Sequence, residues 1–234
     1  MEKPRITEAP SDMNNLMINH ETFYAQHGED RMLFELFAGR THGVCVEIGA
    51  NDGVSLSNTF FFEKLGWKCI VAEPIAELAA NIRENRNCVL HEVAVSDRTG
   101  HTKFTVARGV DMLSGINPTS EHVQRINSEG GSLSDITVPC ITMDELLATS
   151  GISDVDFVSI DVEGHEMQVL RGFSLDRYKP RILIIEDNAM GMDNTISHYL
   201  KTFGYIKFYR TGCNEWYTQR NDSFLSRPMA LLHE

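Results

Sequence analysis

Short apolar segments rich in Val and Ile alternate with segments of helical periodicity, and this alternation constrains the fold more than any other feature of the chain. Such an order is typical of a mostly parallel β-sheet with helices on both faces, so we predict an α/β fold. The predicted strands are 44–48, 68–72, 89–95, 156–162 and 181–186, with a closing hairpin at 205–217. Helices are expected at 23–37, at 57–65, from Pro74 to about 85, at 143–148, after residue 162 and at 194–203.

Polar residues follow each of the five predicted strands at its carboxyl end. In an open parallel sheet, ligands bind beyond these ends. We therefore expect one site assembled from Glu47, Gly49, Asn51 and Gly53 after the first strand, Glu73 after the second, Ser96 and Asp97 after the third, Asp161, Glu163 and His165 after the fourth, and Glu186, Asp187 and Asn188 after the fifth.

The loop after the first strand has the pattern E-x-G-x-N-x-G over residues 47–53. Its glycines permit a tight turn and a close approach of a ligand to the backbone. Glu73 lies 20 residues after Gly53, a spacing at which a carboxylate accepts both hydroxyls of a ribose. The pattern indicates a nucleoside-type ligand, and the alternative is a tight strand–helix turn with incidental acidic residues.

Two details of this loop favour S-adenosylmethionine over a nicotinamide cofactor. The glycines do not have the G-x-G-x-x-G spacing that cradles a pyrophosphate. Glu47 stands two residues before the first glycine, where a cationic amino-acid group favours a carboxylate.

Composition narrows the class of partner. The 234 residues are 42% hydrophobic and 23% charged, as in an ordinary globular domain. A formal net charge of −12 disfavours nucleic acid and anionic membrane surfaces as main partners. No run is long enough to span a membrane, the N-terminus lacks the apolar core of a signal peptide, and five unclustered cysteines indicate reduced thiols. We therefore expect a cytoplasmic protein.

Several segments together resemble one known family. They are DFVSIDVEGHEMQVLRG (156–172), which is the most specific, and VCVEIGANDGVSLSNT (44–59), GWKCIVAEP (66–74), HEVAVSDRTG (91–100), MLSGI (112–116) and YAQHGEDRMLFELF (24–37). The chain resembles the FkbM-type methyltransferases, a branch of the S-adenosylmethionine-dependent Rossmann-like enzymes. The resemblance implies a Rossmann-like class I methyltransferase fold. Its seven-stranded, mostly parallel sheet would have the order 3-2-1-4-5-7-6, an antiparallel last strand, and helices on both faces.

By this resemblance, S-adenosylmethionine would be bound by residues of the first three strand ends. Glu47 and the loop from Gly49 to Gly53 would hold its methionine part, and Glu73 would accept its ribose hydroxyls. The adenine would lie against Ala94, Val95 and Ser96. For Asp97, contact with the adenine amine and a purely local role in the D-R-T-G turn stay open. The full expected set is Glu47, Gly49, Asn51, Gly53, Glu73, Ala94, Val95, Ser96 and Asp97.

The usual chemistry of the family is O-methylation of a hydroxyl, often on a sugar, a glycan precursor or a glycosylated metabolite. The enzyme must then align the acceptor and remove the hydroxyl proton. Of the expected catalytic residues His165, Asp161 and Glu163, Asp161 would position the acceptor or the cofactor ammonium. His165 would be the base, because an imidazole titrates near neutrality. The alternatives are a solvated His165 at a helix start and a structural Glu163-Gly164 turn that caps the following helix.

A second mechanism is a Mg²⁺ site formed by Asp161, Asp187 and Asn188 at adjacent strand ends. Carboxylate and amide oxygens suit Mg²⁺, which would lower the pKa of the acceptor hydroxyl. In catechol-type O-methyltransferases a similar set of residues holds the metal. We do not expect a metal, because Asp and Asn are also common at the start of plain loops.

The segment 108–134 is rich in Gly, Ser and Asn and is long for a plain connection, which predicts a lid-like insertion over the acceptor. His122 and Arg125 in it either contact the acceptor or lie on a solvated helix face. The predicted organisation is a flexible arm at 1–21 and a single methyltransferase domain at 22–234. The alternative functions are a non-catalytic binding module on the same fold and, less favoured, a nicotinamide-dependent reductase.

Overall fold

The computed structural model describes residues 23–226 and contains ten strands in that range. They are β1 (Val44–Ile48), β2 (Lys68–Ala72), β3 (Val89–His91), β4 (Ala94–Val95), β5 (Gly100–Arg108), β6 (Ser132–Ile141), β7 (Phe157–Ile160), β8 (Ile182–Glu186), β9 (Tyr205–Thr211) and β10 (Asn214–Gln219). Seven of them form a sheet in the order β3-β2-β1-β7-β8-β10-β9, in which β10 is antiparallel to both of its neighbours. Counted along the chain within this sheet, the order is 3-2-1-4-5-7-6. The predicted Rossmann-like fold is therefore confirmed.

Eight α-helices are described alongside these strands within residues 23–226: α1 (Glu29–Leu36), α2 (Phe60–Leu65), α3 (Ala76–Asn85), α4 (Ser120–Ser128), α5 (Met143–Thr149), α6 (Glu166–Arg171), α7 (Leu175–Tyr178) and α8 (Thr195–Lys201). Short 3₁₀ turns lie at Asp111–Leu113 and Ser223–Ser226. Within the described residues, no helix has the length and apolar character needed to cross a bilayer. The arm expected at 1–21 lies outside the described residues.

The third predicted strand, 89–95, is divided in the structure. β3 joins the seven-stranded sheet, whereas β4 pairs with β6 in a separate three-stranded sheet of order β4-β6-β5. β5 and β6 form a long antiparallel pair, and the predicted insertion at 108–134 is largely the tip of this hairpin, with α4 inside it. The sequence-based prediction missed β5 because its apolar residues, Phe104 and Val106, pack on a small core outside the main sheet.

The aromatic run Phe60–Phe62 belongs to the hydrophobic core. In β1, Val46 and Cys45 point to opposite faces, so each face of the sheet carries its own buried cluster. On the Cys45 face, the Phe62 ring lies 4.8 Å from that of Trp67 and 4.9 Å from that of Phe157, measured between centroids. Helix α2 is thereby fixed against the sheet directly behind the loop that follows β1.

We expect Phe62→Ala to lower the free energy of unfolding by about 3–5 kcal/mol, since Phe62 is fully buried and its removal leaves a cavity between rings. Urea denaturation followed by circular dichroism would measure this. Met192→Ala is the matched control, because Met192 is 85% exposed and its loss should change stability by less than about 0.5 kcal/mol. Equal losses in the two variants would contradict the packing described here.

Candidate functional site

A cavity of about 650 Å³ opens at the carboxyl ends of β1, β2, β7 and β8. This volume is within the usual range for small-molecule sites. The predicted site residues that line it are Glu47, Gly49, Asn51, Glu73, Ala94, Val95, Asp161, Glu163, His165, Glu186 and Asn188. Four other predicted residues are close in sequence to lining residues but do not line the cavity themselves: Gly53, Ser96, Asp97 and Asp187. The structure thus brings together most of the residues expected from the five strand ends.

The register of the sheet sets the residues that face each other across this edge. Ile160, the last residue of β7, pairs with Ile48 of β1 and Ile185 of β8. The next residue, Asp161, therefore lies between the carboxyl ends of β1 and β8. A Cβ atom at Gly49 would lie 1.8 Å from the backbone carbonyl oxygen of Asp161, and φ of Gly49 is +85°. Only glycine fits there, because the neighbouring strand occupies the space of a side chain.

Glu73, the first residue after β2, has the geometry expected of a ribose acceptor. Its Oε2 accepts a hydrogen bond from the Asn51 backbone N–H (3.0 Å) and its Oε1 accepts one from the Ile75 N–H (2.9 Å). Each carboxylate oxygen has a further lone pair for a hydroxyl donor. Burial raises the pKa of Glu73 to about 7. The carboxylate is therefore fixed beside the glycine loop at the cavity wall.

Glu47 lines the cavity, but its carboxylate is occupied by protein donors. It accepts hydrogen bonds from the Ser57 hydroxyl (2.7 Å), the Asn58 backbone N–H (2.7 Å) and the Thr59 hydroxyl (2.6 Å). The Arg86 guanidinium, 3.3 Å away, balances its charge. Glu47 therefore orders the loop that follows β1, and its contact with the methionine part stays a prediction.

Arg86, just after α3, ties together the loop that follows β1. Its side chain is fully buried, and its Nε donates to Glu63 (2.9 Å) while its Nη1 donates to the Gly53 carbonyl (3.1 Å). Its Nη2 donates to the Thr59 hydroxyl (3.0 Å). Sequence analysis missed Arg86 because it stands in a polar segment, R-E-N-R-N, that is typical of a solvated helix end.

Three carboxyl groups meet at the ends of β7 and β8. The side-chain oxygens of Asp161, Glu163 and Glu186 lie within 4.8 Å of one another. Asn188 donates to Glu186 (2.8 Å) and Glu163 (3.3 Å), and the Arg125 guanidinium lies 3.9 Å from Glu163. We name Asp161, Glu163 and Glu186 the acidic cluster.

The acidic cluster holds protons more tightly than isolated carboxyls do. Burial is the largest cause that raises the pKa of each member, and repulsion adds to it, from Glu163 on Asp161 and from Asp161 on Glu186. Asp161 is exposed to solvent at the cavity surface. Solvent there screens part of the repulsion between its carboxyl group and the other two. The cluster can therefore accept or release a proton near neutral pH.

The three metal ligands expected from the sequence are not assembled. Asp187 accepts a hydrogen bond from the Ala189 N–H (3.0 Å) and forms an ion pair with Arg210, apart from the cavity lining. A carboxyl oxygen of Glu186 lies within 4.8 Å of one of Asp161 instead. Successive residues of a strand point to opposite sides, so only one of this neighbouring pair can face the cavity. On this geometry, Glu186 takes the place of Asp187 as the candidate metal ligand beside Asp161.

His165 is half-buried at the start of α6 and lines the cavity. Its Nε2 lies 2.8 Å from the Ser96 hydroxyl, which also donates to Asp97 Oδ1 at 3.3 Å. Burial lowers the pKa of His165, which keeps the imidazole neutral and able to accept a proton. The arrangement favours the base hypothesis over a solvated histidine.

The E-G turn before α6 is ordered by Glu166. Its Oε1 accepts hydrogen bonds from the Gly164 N–H (2.9 Å) and the Val162 N–H (3.3 Å). Glu163 and Gly164 both have positive φ, +53° and +94°, which turns the Glu163 side chain toward the cavity. Glu166 therefore orders the turn without capping α6, and the N-cap residue His165 makes no side-chain capping hydrogen bond.

Helix α4 places polar side chains against the acidic cluster. The His122 Nε2 donates to the Leu113 carbonyl (2.8 Å), and its Nδ1 lies 3.6 Å from Glu163. Arg125, which lines the cavity, also pairs with Glu129 at 3.0 Å. These residues hold the tip of the β5–β6 hairpin over the site. Neither a contact with the acceptor nor a solvated helix face, the two expectations for His122 and Arg125, describes their contacts fully.

Comparison with known proteins identifies the family. A family model described as the methyltransferase FkbM domain matches residues 47–207, more than half of the chain. The chain belongs to the FkbM methyltransferase family. This confirms the resemblance found in the sequence.

Two individual proteins are similar to this FkbM chain. The 2-O-methyltransferase NoeI of Sinorhizobium fredii is 28% identical over 156 residues, which cover 61% of this chain and 62% of NoeI. The chain thus spans less than two thirds of that relative. The crystal structure of a putative RNA methyltransferase from Pyrococcus horikoshii has a TM-score of 0.42 and 12% sequence identity, covering 84% of this chain and 83% of that chain.

Part of the cavity wall lies outside the segment matched to the FkbM family. Gln26, from the turn before α1, and Cys213 and Asn214, from the β9–β10 hairpin, all line the cavity. Sequence analysis missed these three residues, since no spacing relates them to the five strand ends. Their approach is a result of tertiary structure alone.

We expect Arg86→Met to lower the free energy of unfolding by about 3–5 kcal/mol, because it leaves Glu47 without its counter-charge in the core. Thermal and urea unfolding would measure the loss. Arg83→Met on the same helix is the matched control, since the Arg83 side chain is 57% exposed and its pair with Glu92 is a surface ion pair worth at most about 1 kcal/mol. If Arg86→Met were as stable as the control, Arg86 would not organise the loop.

Proposed function

We propose that this FkbM protein transfers the methyl group of S-adenosylmethionine to a hydroxyl on a sugar, a glycan precursor or a glycosylated metabolite. The observation that carries the proposal is the buried Glu73 carboxylate, fixed by the Asn51 N–H beside the glycine loop and facing the cavity. A hydroxyl acceptor is supported by the similarity to NoeI, whose name describes a 2-O-methyltransferase.

The residues present fit the cofactor. Glu73 would hold the ribose, and the loop from Gly49 to Asp52 would pack on the methionine part. An apolar wall for the adenine is formed by Ile75, Leu78, Ala94, Val95 and Phe104. When bound, S-adenosylmethionine would supply a methyl group attached to a sulfonium, from which the neutral thioether S-adenosylhomocysteine is an excellent leaving group.

The protein must then align the acceptor hydroxyl and take its proton. Asp161, accessible at the cavity surface, positions the acceptor or the cofactor ammonium. His165 receives the proton: when its Nε2 donates to the Ser96 hydroxyl, the lone pair of Nδ1 is available. Glu163 and Glu186 keep Asp161 in place and share protons with it.

A metal-assisted variant of this mechanism has a physical basis in the acidic cluster. A divalent cation held by Asp161, Glu163 and Glu186 would lower the pKa of the acceptor hydroxyl. The two variants differ in their response to a chelator, and we favour the histidine base, because burial already keeps that imidazole neutral.

The cofactor site is tested by titration calorimetry with S-adenosylhomocysteine. We expect Glu73→Ala to weaken binding by about 1.5–3 kcal/mol, the usual loss for hydrogen bonds to a charged group. Since the pKa of Glu73 is raised to about 7, the carboxylate protonates as the pH falls from about 8 to about 6, and wild-type affinity should fall with it. Glu73→Gln should reduce this pH dependence and leave only the part that comes from the acidic cluster.

Glu77→Gln, at an exposed position in the first turn of α3, is the matched control and should bind like wild type. Unchanged affinity in Glu73→Ala would remove Glu73 from the site. Binding of NADH in place of S-adenosylhomocysteine would favour a reductase, and binding without any methyl transfer would favour a non-catalytic module.

The base is tested by methyl transfer from S-adenosylmethionine to a panel of methyl glycosides of common hexoses. We expect His165→Ala to reduce kcat by about 10²–10⁴-fold with unchanged cofactor affinity, and wild-type activity to withstand EDTA. His101→Ala, an exposed histidine on β5, is the control. EDTA sensitivity reversed by Mg²⁺, together with an inactive Glu186→Ala, would establish the metal variant instead.

A further inference from the structure

The turn before α1 brings Gln26 to the wall of the cavity. Gln26 is exposed there, and within residues 23–226 its carboxamide has no hydrogen-bond partner. It lies before the segment 47–207 that the family model matches, within the stretch 24–37 that resembles the family in sequence, and no role considered above involves it. Its position therefore requires a separate explanation.

Two fully buried carboxylates fix the shape of this turn. Asp30 accepts hydrogen bonds from the backbone N–H groups of Tyr24 (2.6 Å) and Ala25 (3.2 Å). Glu29 accepts one from the His27 N–H (2.8 Å). Because the backbone is held on both sides of Gln26, its side chain starts from a fixed point at the cavity wall.

The same turn is tied to the sheet and to the glycine loop. Glu29 accepts hydrogen bonds from the Thr211 hydroxyl (2.7 Å) and the Asn214 amide (2.8 Å) of the β9–β10 hairpin. Ala25 forms a β-bridge with Leu56, at the far end of the loop that follows β1. The turn is thus anchored to two walls of the cavity.

Of these ties, the hydrogen bonds of Glu29 lead to the acceptor side of the cavity. Asn214 pairs with Glu186 in the sheet, and Glu186 belongs to the acidic cluster beyond β7. The ribose site at Glu73 follows β2, on the opposite side of β1. The reacting methyl must lie between the two, so a ligand group near Gln26 belongs to the acceptor.

We propose that the Gln26 carboxamide is a specificity-determining residue that binds a second hydroxyl of the acceptor, next to the hydroxyl that is methylated. An uncharged amide both donates and accepts hydrogen bonds, which suits a neutral polyhydroxyl compound. The nearby acidic cluster disfavours an anionic group at the same place. The inference rests on the proposed O-methyltransferase function and assigns it one further residue.

The test compares Gln26→Ala and Gln26→Glu with wild type on the methyl glycoside that wild type methylates best. We expect both variants to raise KM for the glycoside about 3- to 10-fold, as for loss of one or two neutral hydrogen bonds, with kcat changed less than about twofold. S-adenosylhomocysteine affinity and the thermal unfolding midpoint should match wild type, because Gln26 carries no internal hydrogen bond. Gln124→Ala, an exposed glutamine of α4 outside the cavity lining, is the matched control.

An unchanged KM in both Gln26 variants, with wild type active, would overturn this inference and leave the proposed function standing. Weaker S-adenosylhomocysteine binding in the variants would also overturn it, since Gln26 would then belong to the cofactor side. If wild type binds S-adenosylhomocysteine but methylates no glycoside of the panel, the sugar acceptor and the role of Gln26 both fail.

Discussion

The close parallel pairing of β1 with β7 is the constraint on which the site depends. It brings the carbonyl of Asp161 against Gly49, so that even a methyl group at position 49 would force the two strands apart. Ile160 of β7 pairs with Ile185 of β8, and the next residue of β8, Glu186, pairs with Asn214 of β10. Glu186 and Asn214 therefore lie at the same edge of the sheet as Asp161. Gly49 thus sets the distance between the two strand ends, in addition to permitting the turn in which it stands.

Negative charge is concentrated along this edge, and the protein balances it in two different ways. On the β1 side, the buried Arg86 neutralises Glu47 and anchors the loop, which makes that carboxylate structural. On the β7 side, the Arg125 guanidinium lies 3.9 Å from Glu163, and the raised pKa values of the acidic cluster mean that protons supply part of the balance. Carboxylates of the same type in the sequence therefore serve to order the loop in one place and to bind and exchange protons in the other.

Sequence reasoning succeeded where the chemistry was encoded locally. The alternation of strands and helices follows from local patterns, and the resemblance to the family, carried by short motifs, implied the sheet order. It erred between Asp187 and Glu186, because two adjacent acidic residues at a strand end are equivalent in sequence until the register fixes which one faces the cavity. It also missed β5, whose apolar residues pack on a small sheet that no local pattern announces.

The sequence by itself determined the alternation of strands and helices, and hence the edge at which a site forms, since hydrophobic periodicity and glycine position are local properties of the chain. Only the tertiary structure decided which distant residues complete that site. Arg86 reaches back to Glu47, and Gln26 is carried to the cavity by a turn tied to Asn214, 188 residues further along the chain. Such contacts depend on three-dimensional packing and register, which are set by the whole chain at once, so no local spacing records them.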